Sequence, residues 1–291
     1  IEPARCLPLV GLRRSFASPA RDSIPRFTGF AGFDLMARQL QSIWQADSCE
    51  WTMFDRRTDS EWEKFGQTDP YYGVLSQDRF RKGKLDEDSV QAFFQTGSDH
   101  IHYLLDRVHT HLCPSFNPRR SLDFGCGVGR CLVPLAAVSR TVLGLDVSQS
   151  MLDEAAKVLA KRKIDNVELA LSDDALSRAS GTFDFIHAIL VFQHIRPGRG
   201  LQLFEKLVKL LSDGGVGAIQ FPYHRDVSLP VKVMGACRRH VPLFHNAVNL
   251  FYRKPFDEPL MEKNCYDLNR LFAVLQRNRC GRLHVEFQGR G

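Results

Sequence analysis

Residues 121–130 read SLDFGCGVGR. A short apolar run ends in three glycines at alternate positions, Gly125, Gly127 and Gly129, and a helical stretch over 130–138 follows at once. Such a strand, turn and helix leave bare backbone at the carboxyl edge of a sheet, because glycine adopts positive φ and lets a ligand come close. The alternation continues downstream. Strands are predicted over 121–124, 141–145, 167–171, 183–189 and 217–221, with helices over 130–138, 149–162 and 201–211 between them. This order requires a mostly parallel sheet with helices on both faces: an α/β, doubly wound, Rossmann-like fold. Pro134 falls inside the first of these helices, where it is expected to cost one hydrogen bond and leave a local kink.

The flanks read differently. Residues 1–30 carry five arginines against Glu2 and Asp22, with several prolines and serines, and are expected to form a disordered tail. Residues 31–115 read as an N-terminal helical cap: Leu35, Met36, Leu40 and Ile43 fall at near-helical spacing, as do Ile101, Leu104, Leu105 and Val108. Pro114 and Pro118 mark the boundary to a core over 116–291. An insertion at 222–267 sets Lys232, Arg238, Arg239, Arg253 and Lys254 among Phe244, Phe251, Tyr252 and Phe256. That mixture fits a helical lid over a small acceptor, with an interfacial helix at a membrane surface or an RNA contact as alternatives. A helix over 267–277 and a sixth strand over 282–288 follow.

Composition removes some classes. The net charge of +6 over 291 residues is mild and does not by itself argue for nucleic acid. The eight cysteines are scattered with no C-x-x-C pair, so no metal site is expected and the thiols read as those of a reduced, cytoplasmic protein. No apolar run reaches the roughly 18 residues of a membrane span.

The glycine spacing separates two cofactor classes. A dinucleotide turn runs G-x-G-x-x-G and seats a pyrophosphate on the helix N-terminus. Here the spacing is G-x-G-x-G, and Arg130 stands where the third dinucleotide glycine would be. Asp123, two residues before the first glycine, would repel pyrophosphate and welcome an ammonium. Asp146 closes the second strand, where a carboxylate can accept both hydroxyls of a ribose; it also fits a helix N-cap together with Ser148. Cys126 sits at a helix N-terminus, a place that can activate a thiol, but reads better as a small residue filling space beside a cofactor.

With these features in view, the chain resembles a class I S-adenosylmethionine-dependent methyltransferase of the bacterial small-molecule type. The resemblance spans about residues 62–288 and rests on five motifs in order: LDFGCGVGR, GLDVSQSML, ALSDDAL, FDFIHAILVFQHI and LLSDGGVGAIQF. It implies S-adenosylmethionine as cofactor and a set of cofactor-binding residues. Asp123 would meet the ammonium, and the backbone of Gly125, Cys126 and Gly127 the methionine part. Asp146 would take the ribose, with Val147 beside it and Met151 flanking the adenine. Asp173 would accept from the adenine amino group, the Asp174 amide would face a ring nitrogen, and Gln193 completes the set. Trp62, Tyr71 and Tyr72 in the cap either fold over the cofactor or pack in the core.

Methyl transfer needs mainly alignment and exclusion of water. His194, in FQHI, is the candidate base, with backbone shaping as its other reading. Tyr223 and His224 are candidate acceptor-binding residues. The turn after the fourth strand reads AILVF, which disfavours exocyclic-amine methylases of nucleobases, and no Pro-Cys pair is present for a cytosine C5 methylase. The family's seventh, antiparallel strand has no candidate after the sixth. The expected function is methyl transfer to a hydroxyl or amine of a small molecule, such as a glycan or secondary metabolite. A nicotinamide-dependent oxidoreductase and a non-catalytic S-adenosylmethionine-binding module are the rivals.

Overall fold

The computed structural model describes residues 52–225, 234–235, 237–238, 241 and 243–287, with side chains from Thr58 onward, and the backbone of residues 5–14. The helix expected around Leu35, Met36, Leu40 and Ile43 lies outside these residues, as do Lys232 and Arg239. The strands are β1 (Arg5–Arg14), β2 (Arg120–Phe124), β3 (Thr141–Asp146), β4 (Val167–Leu171), β5 (Phe183–Ala188), β6 (Leu211–His224) and β7 (Cys280–Val285). The helices are α1 (Thr52–Thr68), α2 (Pro70–Val74), α3 (Glu87–His111), α4 (Leu132–Val138), α5 (Gln149–Lys161), α6 (Pro197–Lys209), α7 (Phe244–Phe251) and α8 (Leu268–Arg277).

The strands form one sheet in the order β4-β3-β2-β5-β6-β1-β7. The five from β4 to β6 pair in parallel. From β2 the chain winds outward through β3 and β4, then crosses to β5 and β6 on the other side. The loops after β2 and β5 therefore part, which opens the crevice where doubly wound sheets take ligands.

Alternation along the strands sorts the core. Leu122 and Phe124 of β2 pack with Ile186, with Phe204 of α6 and with Leu271 of α8. On the opposite face Val142, Phe185 and Val216 pack with Leu132 of α4 and Ile101 of α3. A third cluster joins Phe65, Tyr71, Phe80 and Phe93 of the cap to Val128 and Met151 of the core. Its rings meet edge to face, with centroids 5.0 Å apart for Tyr71 and Phe93 and 5.3 Å for Phe80 and Phe93. No helix among the described residues is long and apolar enough to cross a membrane.

Two expectations are corrected here. Residues 5–14, assigned above to a tail, form β1, which lies antiparallel between β6 and β7. The slot beside the sixth strand is thus filled from the N-terminal side. The physical reason is that two strand edges offer unpaired N–H and C=O groups to any extended segment that reaches them. Pro134 is the second correction. It stands third in α4, in the first turn, where a proline ring is tolerated.

The carbonyl of Arg130, which an N–H at position 134 would have met, instead faces Gly97 in the middle of α3. A Cβ on Gly97 would come within 2.1 Å of that oxygen. Helix propensity alone would make Gly97→Ala stabilising. The close backbone approach reverses the sign: the variant should lose about 1–3 kcal/mol, read as a lower midpoint in thermal or urea unfolding.

Candidate active site

The turn after β2 is built from its glycines. Gly125, Gly127 and Gly129 have φ of 74°, 53° and 86°. A Cβ on Gly125 would come within 2.4 Å of Val191, and one on Gly127 within 2.7 Å of Val74. Gly125 and Cys126 both donate their N–H to the Leu145 carbonyl, at 2.7 and 3.0 Å, which pins the turn against β3. Gly127 donates to Asp146 Oδ2 at 2.8 Å, and Ser148 donates to Asp146 Oδ1 at 2.9 Å. The Val147 backbone N–H adds a third hydrogen bond to the same carboxylate. Burial, opposed by these hydrogen bonds, raises the Asp146 pKa to about 6. Ser148, not Asp146, caps α5, accepting from the Met151 N–H at 3.1 Å.

A cleft of about 820 Å³, its open mouth included, runs from this turn along the ends of β3, β4 and β5. Gly125, Gly127, Asp146, Val147, Met151, Asp173 and Asp174 all line it. Trp62 of α1 and Val74 of α2 form the facing wall, with Ile189, Leu190, Val191 and His194 from the loop after β5. Tyr71 and Tyr72 do not reach it. Tyr71 packs in the cap cluster with its hydroxyl 3.3 Å from Glu154, and Tyr72 lies under the Arg81 guanidinium.

Several expected site residues are engaged elsewhere. Asp123 points to the opposite face of the sheet, where its carboxylate meets His187 Nδ1 at 2.7 Å. It stands directly beside His187 in the β2–β5 register, so a buried acid finds its partner on the next strand. His187 Nε2 lies 3.1 Å from His100 Nε2 of α3, and burial, aided by His187 and Arg130, pulls the His100 pKa down to about 2. The Cys126 side chain is in the core on that same face, and burial raises its pKa well above the usual thiol value, so it is no nucleophile. Asp173 accepts from Ser177 N and Oγ at 2.9 and 2.5 Å while still facing the cleft. Tyr223 stacks edge-on against Phe287, with centroids 5.6 Å apart, and neither it nor His224 lines the cleft. Their strand runs on past the edge of the crevice.

Gln193 serves the loop instead of the cleft. Its amide donates to the Leu190 carbonyl at 3.2 Å and to His194 Nε2 at 2.9 Å. Leu190 has a φ of 61°, rare for a leucine, and its N–H is held by Gln220 Oε1 at 3.1 Å. Two glutamines thus hold a strained residue at the cleft wall, where such strain tends to collect. His194 Nδ1–H donates to the Glu262 carbonyl at 2.6 Å, which leaves Nε2 as the acceptor of the Gln193 amide. Burial lowers its pKa to about 4. At neutral pH His194 is an uncharged, doubly bonded ring and a weak base.

Sequence reading missed His100, His187, Gln220 and Arg199. Only for His187 was there a signal: a histidine inside an apolar strand next to an acid-bearing strand. Arg199, at the start of α6, holds Asp174 through Nε at 2.8 Å and lines the cleft.

Residues 122–216 match a family described as a methyltransferase domain. An uncharacterized protein of Rickettsia prowazekii is 31% identical over 136 residues, 46% of this chain and 52% of that protein. The ubiquinone biosynthesis O-methyltransferase of Caulobacter sp. is 31% identical over 103 residues, 35% of this chain and 40% of that enzyme. The chain thus spans about half the length of these curated relatives, or less. Among solved structures, PKMT2 from Rickettsia typhi in complex with AdoHcy matches with a TM-score of 0.40 and 19% identity, over 55% of this chain and 38% of that one.

The matched residues carry the glycine turn, Asp146, Asp173 and Arg199, so much of the cleft lining lies in the part of the chain that resembles a methyltransferase domain.

The His194 environment sets a pH dependence of stability. Its folded pKa lies below the ordinary 6.5, so the stability it contributes is complete above about 6.5 and is lost as pH falls toward 4. His194→Asn should flatten that part of a plot of urea midpoint against pH; an unchanged slope would mean that the ring is not buried neutral.

Proposed function

We propose that the protein transfers a methyl group from S-adenosylmethionine to a hydroxyl or amine of a small-molecule acceptor. The observation that carries this reading is the placement of the bare glycine turn, Asp146 and Asp173 along one cleft whose far wall is apolar. The residues fit the cofactor. Gly125 and Gly127 line the cleft, and Val191 and Val74 pack so close to them that neither position has room for a Cβ. Asp146 lines the cleft and, with roughly four acceptor sites on its two oxygens, can still take a ribose hydroxyl beside its backbone partners Gly127, Val147 and Ser148. Met151, fully buried at the cleft wall, gives a soft surface for the adenine. Asp173 keeps acceptor capacity for the adenine amino group.

When bound, the cofactor supplies a methyl carbon already activated by the sulfonium. The protein's part is to align the acceptor, exclude water and hold the loop after β5. Trp62 and the 189–191 wall would take the acceptor's apolar part. The ring of Trp62 meets His194 edge to face, with centroids 4.8 Å apart, so His194 positions the wall instead of removing a proton. The relatives named ubiquinone biosynthesis O-methyltransferase make a hydroxyl the acceptor group to try first. The oxidoreductase reading is disfavoured because Arg130 is buried under α3, where a dinucleotide turn needs a third glycine.

Calorimetric titration tests the reading directly: S-adenosylhomocysteine should bind at micromolar concentration and NAD should not. Asp146→Asn should weaken S-adenosylhomocysteine by about tenfold or more, since hydrogen bonds to a charged acceptor contribute roughly 1.5–3 kcal/mol each. Ribose hydroxyls favour the ionised carboxylate, so wild-type affinity should fall as pH drops through about 6. In Asp146→Asn that dependence should vanish. Equal affinity of a folded Asp146→Asn variant and the wild type would refute the ribose assignment.

A further inference from the structure

Arg199 is joined to two carboxylates from distant parts of the chain. Its Nη1 and Nη2 meet Asp59 Oδ1 and Oδ2 of α1 at 2.7 and 2.8 Å, a two-pronged pair. Its Nε and Nη2 meet Asp174 Oδ1 at 2.8 and 2.7 Å. The guanidinium side chain is 11% exposed, Asp59 36% and Asp174 60%. Burial works against the charge, but the bonds to Asp59 and Asp174 raise the Arg199 pKa above its usual value. All three residues line the cleft. They do so where the cap helix faces the turn over 172–174, the end that the cofactor reading gives to adenine.

We infer that Arg199 is a positioning residue that latches cap helix α1 over the adenine end of the cleft, by bridging Asp59 to Asp174. The inference rests on the cofactor reading above and deepens it. A planar arginine fork matches a carboxylate in two bonds at once, so the bridge fixes orientation as well as distance. A second tie holds α1 nearer the glycine turn: Glu63 accepts from Ser148 Oγ at 2.8 Å and from Ser150 Oγ at 2.5 Å. Gly66 lets α1 come close there, since a Cβ on it would meet Ser148 Oγ at 2.6 Å. With α1 docked through Glu63, the Arg199 bridge is the part that must open for a nucleoside to pass between Asp59 and Asp174. Its two carboxylates face water, so it can break without unfolding the cap.

The test is stopped-flow dissociation of S-adenosylhomocysteine from the full chain, wild type against Asp59→Asn, Arg199→Lys and the double variant. Lysine keeps the charge and loses the fork. Each single variant should release the ligand about three- to tenfold faster, as expected for a partly exposed but bidentate pair. The double variant should release it no faster than the faster single, because both changes remove one interaction. Added salt should speed release from the wild type and leave Asp59→Asn nearly unaffected. Unchanged release from a folded Asp59→Asn variant, or independent additive effects, would overturn the latch while leaving the cofactor reading intact. A lower thermal midpoint with unchanged release would also overturn it, leaving a merely structural bridge. Should Arg199→Lys fail to fold, Asp59→Asn decides alone, since it changes one partly exposed side chain. A wild type that binds no S-adenosylhomocysteine overturns the cofactor reading itself, and the latch with it.

Discussion

The buried carboxylate of Asp146 ties together three pieces of backbone. It closes β3, accepts the Gly127 N–H from the turn after β2, and accepts the Ser148 N–H at the start of α5. A charge in such a place is costly unless its lone pairs are met. The glycine turn therefore cannot drift without leaving an acceptor unsatisfied. The cleft inherits its geometry from that constraint: turn, strand end and helix start all converge on the carboxylate of Asp146, which lines the cleft. The Leu145 carbonyl adds a second clamp on the same turn, so the glycines are free in conformation yet held in place.

Much of this was readable from the chain. The parallel sheet followed from the apolar runs and the helices between them. Gly125, Gly127, Asp146, Met151 and Asp173 could be placed on one edge because each lies at or just beyond the end of a strand or in the first turn of the helix that follows. The rest depended on which elements become neighbours. Asp123 meets His187 only because β2 and β5 lie side by side across the switch point, and its side chain takes the face away from the crevice. Arg199 and Asp59 come from α6 and α1, and no local pattern pairs them. The surroundings of His194, which decide between its two readings, were hidden for a related reason. Its burial depends on the 255–263 segment returning over the loop after β5, where the Glu262 carbonyl takes the Nδ1 proton.

The cap is attached by two different kinds of contact. Beneath, the aromatic cluster of Phe65, Tyr71, Phe80 and Phe93 fixes the cap elements to one another and to Met151. Over the cleft, α1 is held by polar bonds to α5 and α6. Apolar contacts are non-directional and resist only separation, whereas the hydrogen bonds set angle and distance. The arrangement gives a wall that stays attached while its outer contacts open and close. The residues after α7 bind the cap too: Leu260 donates its N–H to Glu61 at 2.8 Å, and Arg81 reaches Glu258 at 3.3 Å. The cap is thus tied to a segment far along the chain as well as to the helices beside it.

Strand β1 has a bearing on how the molecule is made. Arg5 pairs with His224 and Leu9 with Val285, so β1 has no partners until β6 and β7 have been synthesised. The five parallel strands pair across much shorter stretches of chain than β1 does. The last two pairings are among the most distant in the protein, and pairings of that kind form slowly. A nascent chain would hold its parallel core together first and receive β1 last, as a strand returning to an already twisted sheet. Until then the facing edges of β6 and β7 are open to any other extended segment, including β1 of a second chain, which makes strand exchange between copies the characteristic misassembly of this architecture.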